Sequence, residues 1–149
     1  MLVESKKYVA ALPARYYIGF SDGAYEFVGP ASLHEDLKQV PWPLVGRVAF
    51  GASWDDYFIL FEDGSWSWSG NDQAAFSPLL KKRYKHESLK EIALGPRGEW
   101  FVRFESGTWE AGGLPNSLDK ALSRLKKKHD IKSISFGGDS TWVVRYSTW

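Results

Sequence analysis

Three histidines, two pairs of adjacent acids and two arginines in matching positions are the residues of this chain best suited to chemistry. A catalytic base or metal ligand needs partners that converge on it, and the spacing here argues against convergence. His86 and His129 fall at the C-terminal ends of expected helices, where an imidazole complements the helix dipole in solvent. His34 lies inside a short expected helix and reads as a surface residue. Asp55–Asp56 and Glu35–Asp36 are neighbours in sequence, so their side chains diverge and neither pair forms a carboxylate dyad by itself. Cysteine is absent, which excludes disulfides, thiolate zinc sites and a thiol nucleophile. The chain carries no serine-elbow, zinc-protease, P-loop or dinucleotide-loop pattern. The expectation is a non-catalytic protein with no metal and no cofactor.

Arg103 and Arg145 pose a different question, because they occupy the same position in two related segments. Either arginine could lie over aromatic neighbours or pair with a nearby acid such as Glu110. Alternatively, the two could form a ligand-facing pair that recognises a carboxylate or phosphate. Gly19 and Leu60 stand at that position in the other two segments, so any such site is asymmetric. Trp42, between two prolines, and Trp54, in an expected turn, fall outside the recurring pattern and are candidates for exposed stacking surfaces. Trp66, Trp100, Trp109 and Trp142 fall at recurring positions and are expected in the core.

The recurring pattern sets the architecture. Four segments resemble one another: RYYIGFSDGAYEFVG (15–29), DYFILFEDGSWSWSG (56–70), EWFVRFESGTWEAGG (99–113) and TWVVRYSTW (141–149). Their anchor aromatics Phe20, Phe61, Phe104 and Tyr146 are 41, 43 and 42 residues apart. Periods of this size mark stacked or ring-shaped repeat proteins. In the third unit, Ile92 and Leu94 alternate with Glu91 and Ala93, the period of a half-buried strand. A second strand, 99–107, sets Trp100, Val102 and Phe104 on one face and Phe101 and Arg103 on the other, which suits one face in the core. Asp22–Gly23, Asp63–Gly64 and Ser106–Gly107 read as tight hairpins with primed turns. A third strand follows each. Every complete unit is thus expected to be a three-stranded meander.

A helix follows each complete meander. Residues 116–128 place Leu118, Ala121, Leu122 and Leu125 on one face, with Asn116 as N-cap and lysines in the last turn. Residues 32–39 form a shorter helix, with Ser32 and Glu35 in capping-box spacing and Pro41 and Pro43 ending it. Residues 72–86 form a third, capped by Ser77 with Pro78 in its first turn. The fourth unit stops after two strands. Residues 2–8 are expected to supply the missing strand and cover an edge that would otherwise be open.

Four meanders of about 42 residues resemble the layout of a β-propeller, where strands from both chain ends often complete one unit. The period is similar to that of WD-type repeats, and the Trp–Gly richness to tectonin-like lectin repeats. The Gly-His dipeptide and strand-end Trp-Asp of the WD type are missing, so no functional residue is carried over. The expected fold is mainly β with short helices, a propeller-like closed ring in one domain, residues 1–149. Its units are about 8–43, 44–86, 87–129, and 130–149 plus 2–8.

A net charge of +1 offers no field that would gather nucleic acid or an anionic membrane. The basic runs KKRYKH (81–86) and KKKH (126–129) read as solvated helix ends. No apolar stretch is long enough to span a bilayer, and the chain reads as soluble and intracellular, cytoplasmic or otherwise. The expected function is a binding module for a protein or peptide. The alternative is a carbohydrate-binding domain using exposed aromatics, with Asp22, Asp63 or Ser67 bonding hydroxyls.

Overall fold

The structure is a computed structural model that describes residues 15–38, 45–70 and 88–148. Within these residues ten strands form four small antiparallel sheets, joined by two short helices. The first sheet pairs β1 (Tyr16–Gly19) with β2 (Tyr25–Val28), and α1 (Ala31–Lys38) follows it. The second is a meander of β3 (Val45–Phe50), β4 (Tyr57–Phe61) and β5 (Trp66–Ser69). The third repeats it with β6 (Leu89–Leu94), β7 (Trp100–Phe104) and β8 (Trp109–Gly112), followed by α2 (Asn116–Leu125). The fourth pairs β9 (His129–Phe136) with β10 (Trp142–Thr148). The mainly β class and the full meanders of units two and three match the periodicity. The expected strand at 2–8 and the expected helix at 72–86 lie outside the described residues.

Three apolar cores join consecutive units. Leu33 and Leu37 of α1 pack with Tyr57 and Ile59 and with Tyr17 and Phe27, joining the first two sheets. Phe58 and Leu60 pack with Leu89, Ile92, Val102 and Phe104, joining the second and third. Phe101 packs with Leu118, Leu122, Ile131 and Ile134, joining the third and fourth through α2. Among the described residues no such cluster joins the first sheet to the fourth, and the end faces show it: Val143 is 66% exposed and Phe20 50%.

This serial packing overturns one expectation from the strand pattern. β7 buries both faces, because Val102 and Phe104 pack backward onto unit two while Phe101 packs forward onto unit four. A middle strand in a stack of sheets has no solvent side, and the near-continuous apolar runs YFILF and WFVRF follow from that.

The hairpins also differ from the primed turns expected. Gly23 donates to Phe20 O at 3.0 Å and Phe20 donates to Ala24 O at 2.9 Å, with Gly23 at φ 89°. That is a three-residue loop, a turn followed by a left-handed glycine. Gly64 and Gly107 repeat it at φ 85° and 90°. Asp22 Oδ1 accepts from the Ala24 N–H at 3.0 Å and Asp63 Oδ1 from the Ser65 N–H at 2.9 Å, so both carboxylates hold their own turns. A bond from the Ser65 hydroxyl, followed by that from the Ser65 N–H, holds the Asp63 carboxyl below the usual carboxylate range.

The helices meet their cores as the spacing predicts, but their starts differ. In α2 the N-cap position falls on Pro115, which has no side-chain bond to give, and Asn116 lies inside the helix. α1 begins at Ala31, one residue before Ser32, so Ser32 is not its cap. The Ser32 side chain bonds Tyr57 instead. Tyr57 also donates its hydroxyl to Asp36, and burial followed by that bond pushes its pKa above the usual tyrosine value.

Candidate functional site

Each meander has two ends: one carries the loop between its first and second strands, the other the tight hairpin between its second and third. The loop ends are closed by polar side chains, buried in units two and three and exposed in unit four. Asp56, 3% exposed, accepts the Ser53 N–H at 2.9 Å; Glu99, 2% exposed, accepts the Arg97 N–H at 2.5 Å. Thr141, in the same place in unit four, donates its hydroxyl to Gly138 O at 2.6 Å. These side chains fill the space a Cβ would need at Gly51, Gly95 and Gly137, at 2.9, 2.6 and 2.5 Å. The recurring glycine before each loop is thus a packing requirement. Arg15 of unit one reaches the loop of unit two and donates to the carbonyls of Gly51, Ser53, Trp54 and Asp56, with its guanidinium 5.2 Å from the Phe50 ring centre. Trp54 is 42% exposed on that braced loop. A crevice of about 10 Å³ lies between the loops of units two and three, lined by Gly51, Gly95 and Glu99, and is too small for a ligand.

The hairpin ends are open. A cleft of about 120 Å³ lies between units one and two, lined by Tyr17, Phe20, Tyr25, Leu37 and Val45. A cleft of about 770 Å³ lies in the corresponding place between units three and four. Its walls come from the same three sources: the hairpin (Gly107 to Ala111), the end of the helix (Lys126) and the start of the next first strand (His129 and Asp130). A third hollow, about 380 Å³, lies between units two and three, where Arg47 pairs with Glu91 and Lys90 with Glu105 at 3.7 Å. The framework recurs; the chemistry of the lining does not.

Arg103 stands directly behind the lining of the 770 Å³ cleft, against its residues Gly107 and Asp130. It lies at the end of β7, 8% exposed, and its Nη2 reaches Asp130 Oδ2 of unit four at 3.5 Å. Its charged partner is Asp130, not the Glu110 suggested by the sequence. Asp130 is also bonded by Lys132 Nζ at 2.7 Å, and Lys132 followed by Arg103 holds its carboxyl below the usual range. His129 begins β9 with its ring 4.7 Å from that of Tyr146. Its expected place on an exposed helix end is therefore corrected: the residue is half-buried, and its Nδ1 is buried without a hydrogen-bond partner. The Arg103 Nε is buried without a partner as well.

The other candidate residues do not join this cluster. Arg145 is exposed on β10, which lacks a third strand among the described residues, so the two arginines face different surroundings. Trp54 sits at the opposite end of its unit from the hairpin, and Trp42 lies outside the described residues. Trp66, Trp100, Trp109 and Trp142 pack against the cores as expected, Trp66 stacking on Trp68 at 4.5 Å. His34 is exposed, with its ring 5.6 Å from Phe27. Among the described residues no three His, Asp or Glu side chains gather as metal ligands, and no helix is long and apolar enough to cross a membrane.

Sequence reasoning missed Asp130 and Arg15 and misplaced His129. For Asp130 a signal existed: the corresponding place before β6 is Ser88, so an acid entered in the unit that follows the arginine. No family model matches the chain, and no curated protein or solved structure matches it either.

Proposed function

We propose that this protein is a non-catalytic, intracellular recognition module for a protein or peptide, with the row of hairpin-end clefts as its binding surface. One observation carries the reading: corresponding clefts keep one backbone frame but differ in lining, with Tyr17, Phe20 and Tyr25 beside a single acid, Glu62, between units one and two, and Lys126, His129, Asp130 and Glu110 beside two tryptophans between units three and four. A peptide presents different side chains along its length and suits such a row. A repetitive glycan would favour the same aromatic and polar set at each station. Two of the acids suggested for sugar hydroxyls, Asp22 and Asp63, are engaged in their own turns. Rigid scaffolds that present variable side chains on one rim commonly serve recognition.

In this proposal the four units close into a propeller-like ring, with residues 2–8 completing unit four. The exposed apolar residues of the end units support closure: Phe20 and Val28 on the first sheet, Val143 and Tyr146 on the fourth. Terminal repeats need a cover for such faces. Deleting residues 2–8 should therefore lower the denaturant midpoint clearly. An unchanged midpoint would refute the closure. Function is tested by offering the full chain to a displayed peptide library and a glycan panel. Saturable capture of peptides is expected, and saturable binding of glycans alone would overturn the reading.

A further inference from the structure

We propose that the cleft between units three and four is a carboxylate-binding site in which Arg103 anchors the C-terminal or side-chain carboxylate of a peptide. This deepens the peptide-binding reading and rests on it. A guanidinium has five donors in a planar fork and prefers a two-pronged oxygen partner. Arg103 has instead one long contact, 3.5 Å to Asp130, and a buried Nε with no partner. Asp130 gives the guanidinium a single oxygen at this long distance, and that oxygen also accepts from Lys132 at 2.7 Å. A buried cation this poorly satisfied costs stability unless another acceptor completes it.

The guanidinium also reaches the cleft wall. Gly107 and Asp130 both line the cleft, and a Cβ on Gly107 would lie 3.7 Å from Arg103 Nη2. The lining itself sets Lys126 against Asp130 and Glu110, and Arg103 and Lys132 behind it, both paired with Asp130, bring this group to one net positive charge. The buried Nδ1 of His129 adds a second unpartnered polar atom on the lining. Nor does the fold require arginine here, because the corresponding place in unit two holds Leu60, 4% exposed, within an intact core.

The test follows the Trp109 indole N–H by NMR in the full chain. The probes are acetate, an N-acetyl dipeptide with a free C-terminus, its C-terminal amide, an amidated peptide containing glutamate, and inorganic phosphate. Saturable shifts are expected with the carboxylate probes and none with the plain amide. The free-terminus and glutamate arms identify the source of the carboxylate. Arg103→Leu should weaken binding about tenfold or more while keeping the spectrum dispersed, since one charge-assisted bond is worth at least that factor. Arg103→Lys, which keeps charge but loses the fork, should fall between. Equal binding of the plain amide, unchanged binding by Arg103→Leu, or a preference for phosphate over every carboxylate would overturn the assignment. Peptide capture without carboxylate dependence would sink this site alone; failure of every peptide and carboxylate probe would sink the recognition reading too.

Discussion

The junction between units two and three and the junction between units three and four are built alike and differ at one decisive position. Both set the fourth residue of a middle strand against the first strand of the next unit. In the former that residue is Leu60, packed with Leu89 and Ile92. In the latter it is Arg103, set against Asp130, beside a cleft of about 770 Å³. The backbone frame is common: each meander has a bulge early in its first strand, between Val45 and Arg47 and between Leu89 and Glu91, and the fourth sheet has one between Arg145 and Tyr146. The repeat therefore supplies rigidity, and single substitutions within it supply chemistry.

Moving the charged pair tests this comparison with the largest expected effect. Leu60→Arg buries a cation where unit three has Ser88 in the place of Asp130 and where the nearby acids Glu91 and Glu105 are already paired with Arg47 and Lys90, and should cost about 3–5 kcal/mol in denaturant unfolding. Adding Ser88→Asp should restore about 1–2 kcal/mol of that loss. A tolerated Leu60→Arg would show that the two junctions are not the same kind of environment.

Dissecting the native pair should give smaller and unequal effects. Asp130→Asn leaves the Arg103 cation poorly compensated and should cost about 1–3 kcal/mol. Arg103→Leu copies the arrangement at Leu60 and should change stability by less than about 1 kcal/mol, because Asp130 is part-exposed and keeps its bond to Lys132, so no buried charge is left unpaired. Equal losses for both variants would contradict the asymmetry. The smallest effect concerns acid. The Asp130 carboxyl is held below its usual range by Lys132 and Arg103, so its contribution is present above the unfolded carboxylate value, about 3.9. That contribution disappears as pH falls through the lower folded value. Wild type should lose more stability than Asp130→Asn over this acid range, and parallel pH profiles would refute the linkage.

The repeat was legible because four aromatic anchors hold almost the same spacing, and hairpins and cores follow from that spacing through local rules. The two-sided burial of β7 was less legible. Arg103 breaks its apolar run, and sequence alone does not show that the arginine faces a neighbouring unit and not water. The cleft was half legible: Arg103 stood out against Gly19 and Leu60, but its partner Asp130 lies 27 residues away, beyond α2. His129 misled for a related reason, since a run of lysines followed by histidine looks like a helix end even when the chain has already begun a strand. Arg15 could not be read at all, as its partners are backbone carbonyls with no side-chain signature.

The central claim is that recognition occurs along the hairpin ends, with its charged anchor between units three and four. Mapping a peptide selected by the full chain onto amide and indole NMR signals tests it most directly. The account predicts shifts at Gly107, Trp109, His129 and Asp130, extending to Phe20 and Tyr25 for longer ligands. Shifts confined to the loop ends, at Trp54, Gly98 and Asp139, would contradict it.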